Sequence, residues 1–197
     1  MVTSYPIQTV PAGSVLQHLS RVKYTGQPLF FGASGDNRYD DPAKSYGVLY
    51  LAFDLSTALM ETIFHQHKWH RTKPSMTISE AQQRLVRIVG VGKDLKLADL
   101  SAPNFMAAGL RMNLNQFTSR NYRRTQQISA QIHDHIPADK QLFDGLIYPS
   151  RNNYPALCIA LFARAQTKVA VVDDIELLDH AQWPPFLGQF GVAVLPK

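Results

Sequence analysis

Several groups of side chains in this sequence have the types needed for chemistry, and their spacing separates the reactions they would serve. His65, His67 and His70 form the kind of cluster that binds metal. On a helix only His67 and His70 share a face, no third ligand follows at a recognisable spacing, and His133 with His135 also fits no single helical face. No metal is expected. Gly90 and Gly92 follow the strand-like Arg87-Ile88-Val89, as a dinucleotide fingerprint begins. Lys93-Asp94-Leu95 then supplies no third glycine, and Lys96 to Leu100 reads as extended or turn-like, so no helix opens to receive a pyrophosphate. A Rossmann-type site is not expected.

Ser150 lies in Tyr148-Pro149-Ser150-Arg151, directly after a strand-like run. A nucleophile elbow would place glycine two positions to either side, where Tyr148 and Asn152 stand. Ser150 therefore reads as a serine closing a strand-end turn or as a polar site residue, not as the nucleophile of a hydrolase triad. Glu61 is the first acid after Asp54. On a helical wheel Leu55, Leu59, Met60 and Ile63 cluster on one side, and Glu61 lies away from them, between Thr57 and His65. That is the position of a solvated carboxylate or of one that faces a cleft.

The elements that must position these groups follow from periodicity. Runs rich in Val, Ile, Leu and aromatics predict strands over Pro28 to Phe31, Val48 to Phe53, Leu85 to Val89, Gly145 to Tyr148, Ala156 to Phe162 and Lys168 to Val172. Asp54 or Ser56 caps a helix running to about His67. A second helix spans Ser119 to about Asp134, with Tyr122, Ser129, Ile132 and Ile136 near one face. The last three strands follow one another closely, which favours hairpins over helical crossovers. The expected fold is α+β, a single domain (residues 1–197) with a central mixed or mostly antiparallel sheet flanked by helices. From His180 the prolines and glycines predict an irregular C-terminal wrap over 180–197.

The composition is that of an ordinary globular protein, with 45% hydrophobic and 18% charged residues, so a folded core able to hold a rigid cleft is expected. Twenty Lys and Arg against fifteen Asp and Glu give a net charge of +5. The imbalance is local: no acid lies between Asp99 and Asp134, an interval holding Arg111, Arg120, Arg123 and Arg124. Such a run either attracts an anion or forms a solvated helix face. The single Cys158 lies in an apolar run and excludes an intramolecular disulfide and a multi-cysteine zinc site. That run is too short to span a bilayer, and the first twenty residues hold no Lys or Arg, so neither a membrane nor a secretory signal is expected. A cytoplasmic setting is.

The order of the candidates along the chain adds what no single residue carries. Leu19-Ser20-Arg21-Val22 is followed by Gly35-Asp36-Asn37-Arg38-Tyr39-Asp40, Val48-Leu49-Tyr50-Leu51-Ala52, Ala58-Leu59-Met60-Glu61 and, much later, Asp144-Gly145-Leu146-Ile147-Tyr148-Pro149-Ser150. This succession resembles the RES domain over a core of about residues 18–172. The resemblance implies a fold like that of ADP-ribosyltransferases and an enzyme of toxin–antitoxin systems that cleaves NAD by hydrolysis or phosphorolysis. It further implies NAD as substrate rather than cofactor, inorganic phosphate as one acceptor, and an Xre-type helix-turn-helix antitoxin as partner. By the same resemblance Glu61, Arg21 and Ser150 are the catalytic candidates. Glu61 would stabilise the ribose cation or hold a ribose hydroxyl, and Arg21 and Arg38 would hold the diphosphate. Tyr50 would offer a flat surface to nicotinamide or ribose, and Ser150 would orient a ribose or amide, with Tyr39 and Arg151 as neighbours. The sequence departs from the family's Gly-Gly-Arg followed by Trp or Phe and Asn, having Asp36-Asn37-Arg38-Tyr39-Asp40 instead. Two other readings are a protein ADP-ribosyltransferase using the same cleft and a non-catalytic nucleic-acid binder relying on Arg111 to Arg124. The latter segment has few interleaved aromatics and no recognised motif, so direct nucleic-acid binding is not expected.

Overall fold

The computed structural model describes residues 4–117 and 119–196. The strands are β1 (Ile7–Val10), β2 (Val15–Arg21), β3 (Val48–Ala52), β4 (Ser75–Thr77), β5 (Arg84–Val91), β6 (Leu95–Asp99), β7 (Gly145–Pro149), β8 (Leu157–Phe162), β9 (Val169–Glu176) and β10 (Ala193–Leu195). The helices are α1 (Leu55–Thr62), α2 (Ile78–Gln82), α3 (Leu114–Phe117), α4 (Arg123–Asp134) and α5 (Trp183–Phe190). Eight strands form one sheet in the order β1-β6-β7-β8-β3-β2-β5-β9, and β10 pairs with β4 apart from it. All neighbours in the large sheet are antiparallel except β6 and β7, which are parallel and joined by a crossover carrying α3 and α4. The fold is therefore α+β with a mixed sheet.

One face of the sheet packs on itself. Val10 from one edge strand, Val169 from the other, and Leu16, Leu49, Leu97 and Ile159 between them share a single apolar cluster, which requires the sheet to curl. Backbone bonds from Gly13 to Val91 (2.8 Å) and from Val91 to Ser14 (2.9 Å) close the turn between β1 and β2 onto β5. The opposite face carries the helices in two separate groups. Ile128 and Ile132 of α4 pack with Phe117, Phe143 and Tyr148, whereas Leu55 and Leu59 of α1 pack with Leu19, Trp183 and Phe186. Burying each such aliphatic side chain contributes about 2–3 kcal/mol. The gap between the two groups is where the candidate site lies.

Helix α1 starts where its sequence says, since Asp54 accepts from the Thr57 amide at 2.7 Å and the Thr57 hydroxyl at 2.9 Å. It stops five residues short of the expected His67. A side chain from elsewhere meets this end, Asn152 Nδ2 donating to Met60 O in the last turn (3.3 Å) and to Phe64 O just beyond it (3.2 Å). Consequently His65, His67 and His70 all follow the helix. Helix α4 begins at Arg123 rather than Ser119 and buries Thr125, Ile128, Ser129 and Ile132, leaving the expected Ile136 exposed.

Two further expectations are corrected. Pro28 to Phe31 is not a strand, and only Gly32 bridges to Val48. The tail is not irregular up to the last described residue: Pro184 and Pro185 open α5, Gly191 ends it in the left-handed region (φ 61°), and β10 follows. Proline without an amide hydrogen is tolerated in a first helical turn, so these residues punctuated a helix rather than forbidding one. No helix among the described residues is long and apolar enough to cross a membrane.

Candidate active site

Glu61 lies on α1 at the wall of the gap, and the segment after β7 closes around it. The Ser150 hydroxyl donates to Glu61 Oε1 at 2.8 Å, and the backbone amides of Arg151 (2.7 Å) and Asn152 (3.3 Å) reach the same oxygen. Three donors on one carboxylate oxygen fix its position. The loop that supplies them is itself pinned, because Ser150 N bonds Ala156 O (2.8 Å), Asn153 N donates to Ser150 Oγ (3.0 Å), and Asn153 Nδ2 donates to Thr57 Oγ1 (2.8 Å). Gly145 places β7 for this: a Cβ there would collide with the carbonyl of Ala160 on β8. The Asp-Gly-x-x-Tyr-x-Ser segment thus has a packing reason for its glycine and an electrostatic one for its serine.

Arg38 approaches the other carboxylate oxygen, its Nη2 3.5 Å from Glu61 Oε2, with both side chains largely buried. Its Nη1 is buried without a protein partner among the described residues. Burial opposes the charge on Arg38, but Tyr39, Tyr148 and Glu61 outweigh it and raise its pKa. The guanidinium also sits 5.8 Å from the centre of the Tyr148 ring.

The loop bearing Arg38 is organised by a buried acid that sequence reading missed. Asp40 Oδ2 accepts from Ser34 Oγ (2.8 Å), Asn37 N (3.1 Å) and Asn37 Nδ2 (3.0 Å), while Oδ1 accepts from the Tyr50 hydroxyl (2.9 Å). The same hydroxyl accepts from Tyr39 N at 2.9 Å. Gln126 of α4 holds the carbonyls of Gly35 (2.8 Å) and Asn37 (2.9 Å). Asn37 is therefore a structural partner of Asp40, which accounts for its presence in the departed loop motif. Asp36 is exposed on the cavity rim.

The cavity itself, of about 500 Å³, opens where β2 and β3 part. These strands share only the pair Gln17↔Ala52, against seven pairs between β2 and β5 and five between β3 and β8. Beyond that pair His18 Nδ1 takes the Tyr50 carbonyl at 2.9 Å, so the carbonyl fixes a donor at Nδ1. Burial lowers the pKa of His18, with Arg87 adding to the effect against the carbonyl bond. Gln17, His18 and Leu19 form one wall, Tyr50, Tyr148 and Cys158 the floor, and Ala58, Glu61 and His65 the opposite wall. Gln17 Oε1 is buried there with no protein partner among the described residues.

A model of the RES domain matches residues 15–183. The chain belongs to the RES-domain family. The fold of this RES domain is similar to that of a chain in the crystal structure of the M. tuberculosis MbcT–MbcA toxin–antitoxin complex. The TM-score is 0.62 and the identity 13%, covering 92% of this chain and 91% of that one. Comparison with curated proteins gives no match.

Within this RES domain the structure brings together Glu61, Ser150, Arg38 and Tyr50, with Arg151 supplying its amide. Ser150 serves differently from its expected role, since its proton is directed to Glu61. Tyr50 presents its ring to the cavity but spends its hydroxyl on the Arg38 loop, and burial, followed by Asp40, raises its pKa well above the usual value. Arg21 is not brought in. It ends β2, donates from Nη1 to Gln83 Oε1 at 3.1 Å, and does not line the cavity. The splay of β2 from β3 carries its end away. Tyr39 is a fully buried core residue whose ring packs 4.4 Å from that of Tyr148. The Arg151 side chain turns to Ser119 O (2.9 Å) and the Tyr122 ring (5.8 Å).

Proposed function

We propose that this RES domain cleaves NAD at the bond between nicotinamide and ribose and passes the ADP-ribosyl group to water or phosphate. We propose further that it acts as the toxin of a pair with an Xre-type antitoxin. The observation that carries the reading is the Glu61 carboxylate, fixed by Ser150 and two backbone amides on the wall of a cavity that Arg38 also faces. A cavity of about 500 Å³ is within the range of small-molecule sites.

The bond breaks with its electron pair going to the ring nitrogen, so a cationic pyridinium leaves as neutral nicotinamide and needs no general acid. Positive charge grows on the sugar carbon, and a carboxylate already held in place stabilises it without reorganising. One acid suffices, in contrast to the paired carboxylates of most glycosidases. Water or a phosphate oxygen then supplies the electron pair that completes the new bond, and water gives up its proton to solvent. Arg38 lines the cavity beside Glu61, so its guanidinium brings positive charge to a diphosphate bound there. The likeness to a toxin–antitoxin complex supports the partner, and membership of the RES family supports the substrate.

The test is incubation of purified protein with NAD, with and without phosphate, and separation of products. Release of nicotinamide with ADP-ribose, or with its phosphorylated form when phosphate is present, is expected. Intact NAD under both conditions refutes the reading, and ADP-ribose retained on a protein replaces it with transfer.

A further inference from the structure

The acid-free interval between Asp99 and Asp134 carries its arginines exposed, Arg123 and Arg124 on the first turn of α4. It folds around a second hollow of about 340 Å³, formed by residues 111–112, α3, residues 119–121 and the first turns of α4. Arg111, Arg123 and Arg124 line it, with Gln116, Ser119 and Gln127 as neutral hydrogen-bonding neighbours. Among the described residues no carboxylate lies within ion-pair distance of any of the three guanidiniums. Arg124 makes one long bond to the Leu110 carbonyl, 3.4 Å. Arg111 holds a left-handed backbone (φ 51°), a conformation that costs free energy for a side chain of this kind. Three like charges around one concavity repel unless an anion lies between them.

We propose that this hollow binds the diphosphate group of a small anionic ligand, at a site separate from the Glu61 cavity. Guanidinium offers paired planar donors that match phosphate oxygens. The charge does not continue as a track: Arg120 turns away to donate to Gln66 O at 2.8 Å, and α4 continues with Thr125, Gln126 and Gln127. A nucleic-acid backbone needs such a track, whereas a diphosphate does not. The two sites share a partition, since Ser119 lines the hollow and its carbonyl holds Arg151, while Tyr122 lines the cavity. This site is independent of whether the cavity cleaves NAD.

Calorimetry of the full chain with pyrophosphate tests it, in an Arg38→Gln background that removes the cavity's own donor to a diphosphate. One saturable site is expected, weakened about a hundredfold in the Arg111→Gln/Arg123→Gln double variant, about tenfold for each charge-assisted contact removed. The Arg111→Lys/Arg123→Lys variant, which keeps charge but loses the fork, should recover part of the affinity. ADP-ribose binding that also weakens in the double variant would identify a nucleotide-borne diphosphate as acceptable, and binding of pyrophosphate alone a free one. The proposal is overturned by no saturable binding in that background, by equal affinity in the added double variant, or by tighter binding of single-stranded RNA than of pyrophosphate.

Discussion

Replacing Tyr50 by Phe separates what its ring does from what its hydroxyl does. The ring stays to line the cavity, but the hydroxyl no longer donates to Asp40 Oδ1 or accepts from Tyr39 N, both at 2.9 Å. Leaving the Tyr39 amide without its partner costs about 1–3 kcal/mol, and losing a bond to a charged acceptor costs a similar amount. The two overlap, because Asp40 keeps three donors on its other oxygen, so a net loss of about 3 kcal/mol is expected. For a chain of 197 residues that lowers the melting temperature by roughly 6–12 °C. Since the broken bonds hold the loop that aims Arg38, kcat/KM for NAD should fall by about tenfold, equivalent to about 1.4 kcal/mol of that loss appearing in the site. Scanning calorimetry and steady-state nicotinamide release measure the two effects on one preparation. Unchanged melting together with unchanged kinetics would refute the role of the hydroxyl. Lower melting with wild-type kinetics would refute its connection to Arg38.

Arg21→Ala should leave NAD affinity within about twofold of wild type by calorimetry, because an exposed contact to Gln83 contributes little and the side chain is off the cavity. Arg38→Ala should weaken it by about tenfold or more. Stability should fall on acidification from pH 7.5 to 5.5, read by urea unfolding. Burial lowers the pKa of His18, His133 and His180 in the folded state, so the unfolded chain binds protons first and stability is lost as pH drops below about 6.5. A second loss should follow at lower pH as Asp174, whose pKa the bond from Arg87 lowers against its burial, is protonated. A flat profile down to pH 5.5 would contradict the histidine assignment.

The parts of the fold legible in the sequence were those fixed locally. Asp54 with the apolar spacing of Leu55, Leu59 and Met60 specifies the start and buried face of α1, and the runs around Val48, Gly145 and Leu157 specify three neighbouring strands. Strand β2 was hidden because Gln17, His18 and Ser20 break its alternation, and those residues are polar because the strand borders a cavity. Strand β6 was half-hidden by Lys96, which is buried only because Asp139 and the Gln141 carbonyl meet its ammonium at 2.6 and 2.8 Å. In the site, Glu61 and Ser150 were both candidates with separate roles, and the hold of the serine on the carboxylate was not foreseen. Asp40, Asn152, Asn153 and Gln126 carried no local signal, since each acts on a backbone or side chain far away in sequence or across a loop. Arg21 was misplaced because order along the chain says nothing of the point at which two strands diverge.

Glu61→Gln tests the central claim most directly. The variant keeps an amide oxygen able to accept from Ser150 Oγ and the Arg151 amide, so melting near wild type is expected, while the charge that would face a ribose cation is gone. NAD turnover should fall by on the order of a hundredfold to a thousandfold. A folded Glu61→Gln protein that consumes NAD at the wild-type rate would contradict the assignment of this carboxylate and of the cavity around it.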